Sequence, residues 1–518
     1  MITVLWVDDE IAHLQSHIRF LEKHGYKVLT ASSGNTALDL LRENRVDIVL
    51  MDQMMVGMDG LETVSILRKN YHALPVVMVT QSEEEELMDL AIGGEIDDYL
   101  TKPVNPSQIL LVIKRLVMGT RLKTQRAARE IVDQTARIMD IRSHEMGWRE
   151  WVSIYRSWVE MDVASKGSLA DEMKTVQKSR FDDLAMDFSK HVEHNYPDWI
   201  AGTGSDSPLM SHNYLERVVT PQLESSSELV MIIIDCMRYD QWLTMAPVLE
   251  KWFHIETEFM LTVLPSATPY SRNSIFAGLL PRDIWRFHRH RWIEHYGFPG
   301  LNRHEHEFLS EALKRLGCER HSNPDYVKVS NRREGKVLLH SLSRHLQNGF
   351  LAIVVNYIDH LTHGRSELDL IRDLAPDVAS FRSLAETWFK SSFLRILFQT
   401  LAARGATVLV TSDHGSVFTT RDTRIRGRGV SGSIRYRYGS NMSVDSRTAI
   451  TARKPAEWGL PDDTPAKNYL FARSDYFMMF QNVPRSELQK FRSTFQHGGV
   501  SLEEMIVPSI VLKPKNMK

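Results

Sequence analysis

Cysteine is scarce in this sequence: 518 residues carry two, Cys236 and Cys318, far apart. That excludes a disulfide framework, and the expectation is two reduced, buried thiols. Long apolar runs are absent too. No stretch approaches the roughly 20 residues that a membrane helix needs, so no membrane role is expected. The opening residues lack a basic stretch and meet acid after a few apolar side chains, unlike a secretory signal. A cytoplasmic location is the expectation. Excess charge of either sign is missing, with 63 Lys and Arg against 65 Asp and Glu for a formal net charge of −2. Any basic binding site must therefore be local. Internal repeats and low-complexity tracts are also lacking.

What is there is a globular composition, 43% hydrophobic and 25% charged, in a chain long enough for two or three cores. Residues 1–118 alternate short apolar runs with amphipathic helical stretches. The runs Ile2–Val7, Lys27–Thr30, Ile48–Met51, Val76–Thr80 and Tyr99–Thr101 predict five βα repeats and a small doubly wound parallel sheet. Residues 119–225 show helical spacing at Ile131, Val132, Thr135, Ile138 and Met139, then at Trp148, Trp151, Tyr155, Trp158 and Val159. This predicts a helical linker or bundle, with turn chemistry at Gly202–Pro208. From 226 to 518, strand-like runs return at Leu229–Ile234, Leu351–Ile358, Val408–Thr411 and Phe477–Phe480. They predict a second, larger α/β domain. The fold class is α/β throughout, with a helical middle.

Asp8 and Asp9 follow the first strand and Asp52 the third. Ligands of open parallel sheets collect at the carboxyl ends of strands, so these carboxylates converge. Their mutual repulsion calls for a cation, and Mg2+ with its oxygen ligands suits them. Thr80 and Lys102 end the fourth and fifth strands, as donors to a phosphoryl group on Asp52. Asp8-Asp9, Asp52, Met58-Asp59-Gly60, Thr80 and Lys102-Pro103 together resemble the receiver domains of two-component signalling. The resemblance implies that Asp52 accepts phosphate from a sensor histidine kinase. It also implies Mg2+ on Asp9, Asp52 and the Met54 carbonyl, with Tyr99 as the aromatic switch coupled to Thr80. Val56 stands where that family commonly has proline, and Gln81 where a small residue is usual. Neither removes a reacting group.

The larger domain repeats this logic with different donors. Asp235 and Asp359 follow strand-like runs, and His363 lies four residues beyond Asp359. Asp413-His414-Gly415 follows Val408–Thr411, and His497 precedes Gly498-Gly499. Three Asp and three His suffice for two zinc-type sites, because imidazole favours zinc over magnesium. Thr268 precedes a helix with Pro269 in its first turn. A hydroxyl there is a candidate nucleophile at an anion-friendly helix end. Asp235, Pro265–Gly278, Asp359-x-x-x-His363, Asp413-His414-Gly415 and His497–Pro508 together resemble the PglZ-type branch of the alkaline phosphatase superfamily. That resemblance implies one zinc on Asp235, Thr268, Asp413 and His414, and a second on Asp359, His363 and His497. The order receiver, helical linker, PglZ domain resembles PorX-type response regulators, which are associated with type IX secretion.

Thr268, in place of Cys or Ser, argues against a sulfatase and leaves phosphoric esters. Thr420–Tyr438 reads as a flexible loop bearing Arg421, Arg424, Arg426, Arg428, Arg435 and Arg437 with Tyr436 and Tyr438. Such a loop could clamp phosphates and stack bases. Arg424, Arg426 and Arg428, with Arg272 and Asn273 near Thr268, are the candidate substrate contacts. Trp285–His295 is a second basic, aromatic stretch, a lid or a solvated turn. Two functions compete. One is a phosphorylation-controlled zinc phosphodiesterase acting on nucleotide or oligonucleotide substrates. The other is a non-catalytic scaffold that binds a sigma factor or secretion component. No helix-turn-helix pattern follows the receiver. The helical linker starts without a Gly/Ser tether, so a phosphorylation-favoured homodimer is expected.

Overall fold

The computed structural model describes residues 2–71, 74–81, 96–118, 146–165, 171–202, 206–292, 302–367, 373–430 and 433–515. The chain forms two compact units, Met1–Asp133 and Gln134–Lys518. In the first, the five expected strands form as β1 (Ile2–Val7), β2 (Tyr26–Ala31), β3 (Ile48–Asp52), β4 (Val76–Thr80) and β5 (Asp98–Thr101). All are parallel, in the order β2-β1-β3-β4-β5, so the order reverses between β1 and β3. The strand period of two sorts side chains between two cores. Leu5, Val7, Val49 and Met51 enter one, and Val4, Trp6, Ile48 and Leu50 the other. Burial on both faces is why these strands read as unbroken apolar runs. Ser33, Asp59 and Asn105 cap the helices Gly34–Glu43, Gly60–Asn70 and Pro106–Ile113 by accepting backbone N–H groups.

The second unit is built on a six-stranded sheet. Its members are β6 (Leu229–Ile234), β7 (Phe253–Leu261), β8 (Asp325–Val329), β9 (Phe350–Val355), β10 (Thr407–Thr411) and the C-terminal strand Ile506–Pro514. The order runs β7, Ile506–Pro514, β10, β6, β9, β8. The four from β10 to β8 are parallel, and the C-terminal strand is antiparallel to both its neighbours. Here too β6 serves two cores, Val230, Ile232 and Ile234 facing one and Leu229, Met231 and Ile233 the other.

The helices Trp148–Ser165 and Asp171–Ala201 do not form a bundle of their own. Trp151, Tyr155, Val159, Phe188 and Tyr196 lie in the same hydrophobic core as Val230, Ile232 and Ile234. Polar contacts reinforce the packing: Tyr239 donates to Glu160 at 2.9 Å, and Arg382 pairs with Asp162 at 2.7 Å.

Three expectations need correction. The strand expected over Leu351–Ile358 stops at Val355, and a helix starts at Tyr357. Phe477–Phe480 is strand as expected, within Tyr476–Phe480 of a separate five-stranded sheet. Thr420–Tyr438 is largely not loop, because Arg421–Val430 and Tyr436–Ser443 pair as antiparallel strands. Cys236 is buried but Cys318 only partly so; both are free thiols. The positions expected from Ile131 to Met139 lie outside the described residues. So do 203–205 of the turn segment and 293–295 of the basic stretch. No helix among the described residues is long and apolar enough to cross a membrane.

Candidate active site and phospho-acceptor pocket

Because Val7 lies opposite Met51, Asp8 and Asp52 leave neighbouring strand ends. The carboxylates of Asp8, Asp9 and Asp52 come within 4.8 Å of one another. Lys102 Nζ donates to Asp52 at 2.9 Å and to Asp8 at 3.1 Å. Burial pushes the Asp52 carboxyl upward; Lys102 opposes the rise, and Asp8 and Asp9 add to it. Burial works against the Lys102 ammonium, yet its bonds to Asp52 and Asp8 hold it above its ordinary value. One ammonium among three carboxylates leaves the pocket acidic, which fits Mg2+. Thr80 donates its hydroxyl to the side-chain carbonyl of Gln53. Tyr99 is half-buried against the core, and the Met54 side chain is exposed. A Cβ on Gly60 would lie 2.1 Å from the Asp52 carbonyl oxygen, so this turn must be glycine to approach the acceptor.

In the larger unit the six expected donors fall into two triads, Asp235, Asp413 and His414, and Asp359, His363 and His497. Within each, the donor atoms lie within 4.8 Å of one another. The triads adjoin, since the His414 and His497 rings stack at 4.2 Å and His363 lies 5.4 Å from His497. Asp235 and Asp413 follow the paired strands β6 and β10. Asp359 does not end a strand. It sits in the first turn of the helix Tyr357–Glu367, which places His363 one turn on. Thr268 is the first residue of the helix Thr268–Ala277, whose N-cap is Ala267. Its hydroxyl makes no cap; Oγ1 lies 3.0 Å from His414 Nε2 and 3.5 Å from Asp235 Oδ1.

Two buried carboxylate oxygens, Asp413 Oδ2 and Asp359 Oδ1, accept no hydrogen bond. Leaving such oxygens dry is costly unless a cation meets them. Burial, then the charge of Asp235, push the Asp413 carboxyl upward. Burial acts the same way on Asp235, but Arg272 and His414 hold it low. Burial and the neighbouring His414 and His363 drive His497 well down, so it is a neutral imidazole, the form able to accept a metal ion. Carboxylates, imidazoles and one hydroxyl, buried in the first triad and partly buried in the second, fit two zinc ions.

The expected substrate arginines divide. Arg272 is 2% exposed and is locked into the wall, paired with Asp235 and with Glu305 at 2.6 Å. Asn273 donates to the Pro269 carbonyl at 2.9 Å and accepts from Asn302 at 3.1 Å. Arg424 donates to the Phe480 and Val483 carbonyls at 2.9 and 3.2 Å, while Arg426 and Arg428 are exposed. Among the described residues, none of these three hydrogen-bonds to a triad member or to Thr268. Arg435 is wholly buried and grips Glu504 with two bonds. Glu504 in turn accepts the Gly499 N–H at 3.0 Å, two residues past His497.

Sequence reasoning missed Glu504, Glu305, Asn302 and Ser271. Asn302 donates to the Thr268 carbonyl at 3.2 Å, and Ser271 to the Asp413 carbonyl at 2.5 Å. Glu305 and Asn302 have partners remote in sequence and carried no local signal, whereas Ser271, inside Pro265–Gly278, and Glu504, inside His497–Pro508, lay within the quoted motifs without being singled out. The glycine of Asp413-His414-Gly415 has a structural cause, since a Cβ there would lie 1.9 Å from the Glu503 carbonyl oxygen.

A phospho-acceptor pocket in one unit and a two-triad metal-type cleft in the other define a response regulator with a hydrolase-like output domain. Residues 4–114 match the response regulator receiver domain, and residues 121–200 the PorX response regulator linker domain. Residues 214–512 match the BREX system PglZ alkaline phosphatase-like domain, and by that match, over more than half its length, the chain belongs to that family. The Bacillus subtilis transcriptional regulatory protein YvrH is 37% identical over 115 residues, 22% of this chain and 47% of YvrH. The probable transcriptional regulatory protein TcrX of Mycobacterium tuberculosis is 32% identical over 147 residues, 28% of this chain and 62% of TcrX. The chain thus spans about half the length of the curated relatives it matches. Among solved structures, the Vibrio cholerae chemotaxis protein CheY4 is 32% identical with a TM-score of 0.22, covering 22% of this chain and 98% of CheY4. A receiver implies a cognate sensor histidine kinase, and the chain is a two-component regulator.

Proposed function

We propose that Asp52 phosphorylation controls a two-zinc phosphodiesterase in which Thr268 is the nucleophile. One observation carries this reading: Thr268 Oγ1 stands 3.0 Å from His414 Nε2, and the His414 ring stacks on His497 of the other triad. Asp235, Thr268, Asp413 and His414 would hold one zinc, and Asp359, His363 and His497 the other. Bound zinc supplies positive charge to the attacking oxygen and to the phosphoryl oxygens. The chain's own residues do the rest. Thr268 Oγ1 would bond to phosphorus as the leaving ester oxygen departs and takes up the hydroxyl proton as an alcohol; water then hydrolyses the phosphothreonine, releasing the phosphate monoester and restoring the Thr268 hydroxyl. The N-terminus of Thr268–Ala277 faces the anion. Arg272 keeps Asp235 ionised and oriented, and Asn302 holds the Thr268 carbonyl.

Nucleotide-type diesters are the proposed substrates, with the exposed Arg426 and Arg428 as backbone-phosphate contacts and Arg424 fixing their strand. The receiver pocket takes Mg2+ on Asp9, Asp52 and the Met54 carbonyl. The phosphorylated form is a homodimer, working from the cytoplasm within type IX secretion signalling. Metal analysis of the purified chain, with a panel of mono- and diester substrates, tests the reading. Two zinc per chain and diester turnover are expected. A metal-free protein, or turnover of monoesters alone, overturns it. If the output is instead the binding of a sigma factor or secretion component, Thr268→Ala leaves signalling intact.

A further inference from the structure

The segment that leads from β7 to Thr268 is buried along its whole length, so each backbone N–H in it needs a partner inside the protein. Two of those partners lie outside the middle helices, and a side-chain bond of Ser266 adds a third tie. Thr262 N–H goes to the Met505 carbonyl at 2.9 Å. Val263 N–H goes to Ser211 Oγ at 3.2 Å, and Ser211 Oγ also meets Ser271 Oγ at 2.8 Å. Ser266 donates its hydroxyl to the Gly499 carbonyl at 2.7 Å. The Leu264 N–H is different. It donates at 2.7 Å to the hydroxyl of Tyr196, which belongs to the helix Asp171–Ala201. Leu264 is followed by Pro265, which has no N–H to offer, and the Ala267 N–H bonds only locally, to the Pro265 carbonyl at 2.7 Å, so among these bonds the one from Leu264 ties the segment to the middle helices.

Tyr196 is itself held rigidly. It is 0% exposed, and its ring stacks on Trp458 with centroids 5.5 Å apart and planes 22° from parallel. One and two turns before it, Glu193 and Ser189 receive the Arg473 guanidinium, with Ser189 at 3.2 Å. Loops that aim a reacting group are sensitive to sub-ångström displacement, because attack needs a near-attack geometry.

We infer that Tyr196 is a positioning residue for Thr268, so that the helical segment between receiver and hydrolase holds the nucleophile in register. The inference rests on Thr268 as nucleophile. It adds that the middle segment is a working part of the site, and that a change in the docking of Asp171–Ala201 is felt at Thr268 through one hydroxyl.

Tyr196→Phe removes that hydroxyl and keeps the ring on Trp458. The expected result is a fall in kcat of about 10- to 100-fold with KM nearly unchanged, because the attack geometry and not the binding cleft is disturbed. Glu160→Gln, which weakens another contact of the middle helices through Tyr239, serves as the comparison and is expected to keep kcat. A second readout needs neither metal nor turnover. Hydrogen exchange in the metal-free full chain is expected to show faster exchange of the Leu264 amide in Tyr196→Phe, with the Thr262 amide still protected. Unchanged exchange at Leu264 overturns the inference whatever the turnover. Equal losses of kcat in Tyr196→Phe and Glu160→Gln reduce Tyr196 to general stability and overturn it as well. A wild-type protein that cleaves no ester removes the hydrolase reading, while the exchange result still decides whether Tyr196 anchors the segment.

Discussion

Thr268 and Arg272 lie four residues apart on one helix and both reach Asp235, yet they do different things there. The threonine hydroxyl makes no cap and points at the triad, whereas the guanidinium is enclosed between Asp235 and Glu305. Thr268→Ala is therefore expected to retain both metals and lose about 10³-fold or more in turnover, read by metal analysis alongside single-substrate kinetics. Survival of activity within a few-fold of wild type points to a metal-activated water as attacker. Arg272→Ala leaves two buried carboxylates without their partner, and a loss of about 3–5 kcal/mol in stability is expected by denaturant titration. A substrate contact on the surface would instead raise KM and spare stability. His212, ahead of this helix in sequence, gives a pH signature. Burial lowers it from 6.5 to about 4, and its buried Nδ1 has no hydrogen-bond partner. The unfolded chain then binds a proton that the folded chain refuses, so stability is full above the unfolded value and declines as pH falls from 6.5 toward 4. His212→Gln is expected to flatten that part of the profile in thermal melts taken at several pH values.

At the level of elements, the hairpin built from Arg421–Val430 and Tyr436–Ser443 shows best what the sequence conceals. Arg424, Arg426 and Arg428 recur every second residue, which is a strand signal, but the intervening glycines suggested a loop. Composition could not distinguish Arg435 from the others either. Its burial depends on Glu504, a carboxylate 69 residues away. By contrast, Asp235 and Asp413 were legible because strand ends in a parallel sheet follow from apolar runs alone. Asp359 was legible as a donor and misplaced as an element end, since Tyr357-Ile358 extends the apolar run of β9 into a helix. The Arg435–Glu504 pair sets the backbone beside His497 through the Gly499 N–H. Glu504→Gln is accordingly expected to weaken zinc at Asp359, His363 and His497 while sparing the Asp235 site, read as stepwise release to a chelator. Loss of both metals together, or of neither, would show that the pair does not support that triad.

Across the whole molecule, the regulatory question is how a charge added at Asp52 alters an output unit with its own separate core. The chain comprises two compact units, and the acid pocket lies entirely within the first. Phosphorylation therefore acts first on the receiver's own surface. In the proposed switch, the Thr80 hydroxyl now bonded to Gln53 would turn toward the phosphoryl group, and half-buried Tyr99 on the neighbouring strand would follow it. A surface changed in this way can be read by a second copy of the chain, and pairing of two receivers fixes two output units into one assembly. The energetic requirement is definite: moving a population from almost all monomer-competent to almost all dimer-competent takes a preference of about 5.5 kcal/mol. Beryllofluoride with Mg2+ is expected to double the mass of the wild type in light scattering and to leave Asp52→Ala monomeric. Metal content in the Asp235 and Asp359 triads is expected to be the same in both proteins, because those donors belong to the other unit. A wild-type mass that ignores beryllofluoride removes dimerisation as the switch. Equal dimerisation of Asp52→Ala places the trigger outside the acid pocket, and loss of zinc in that variant shows that the two units are coupled even without phosphate.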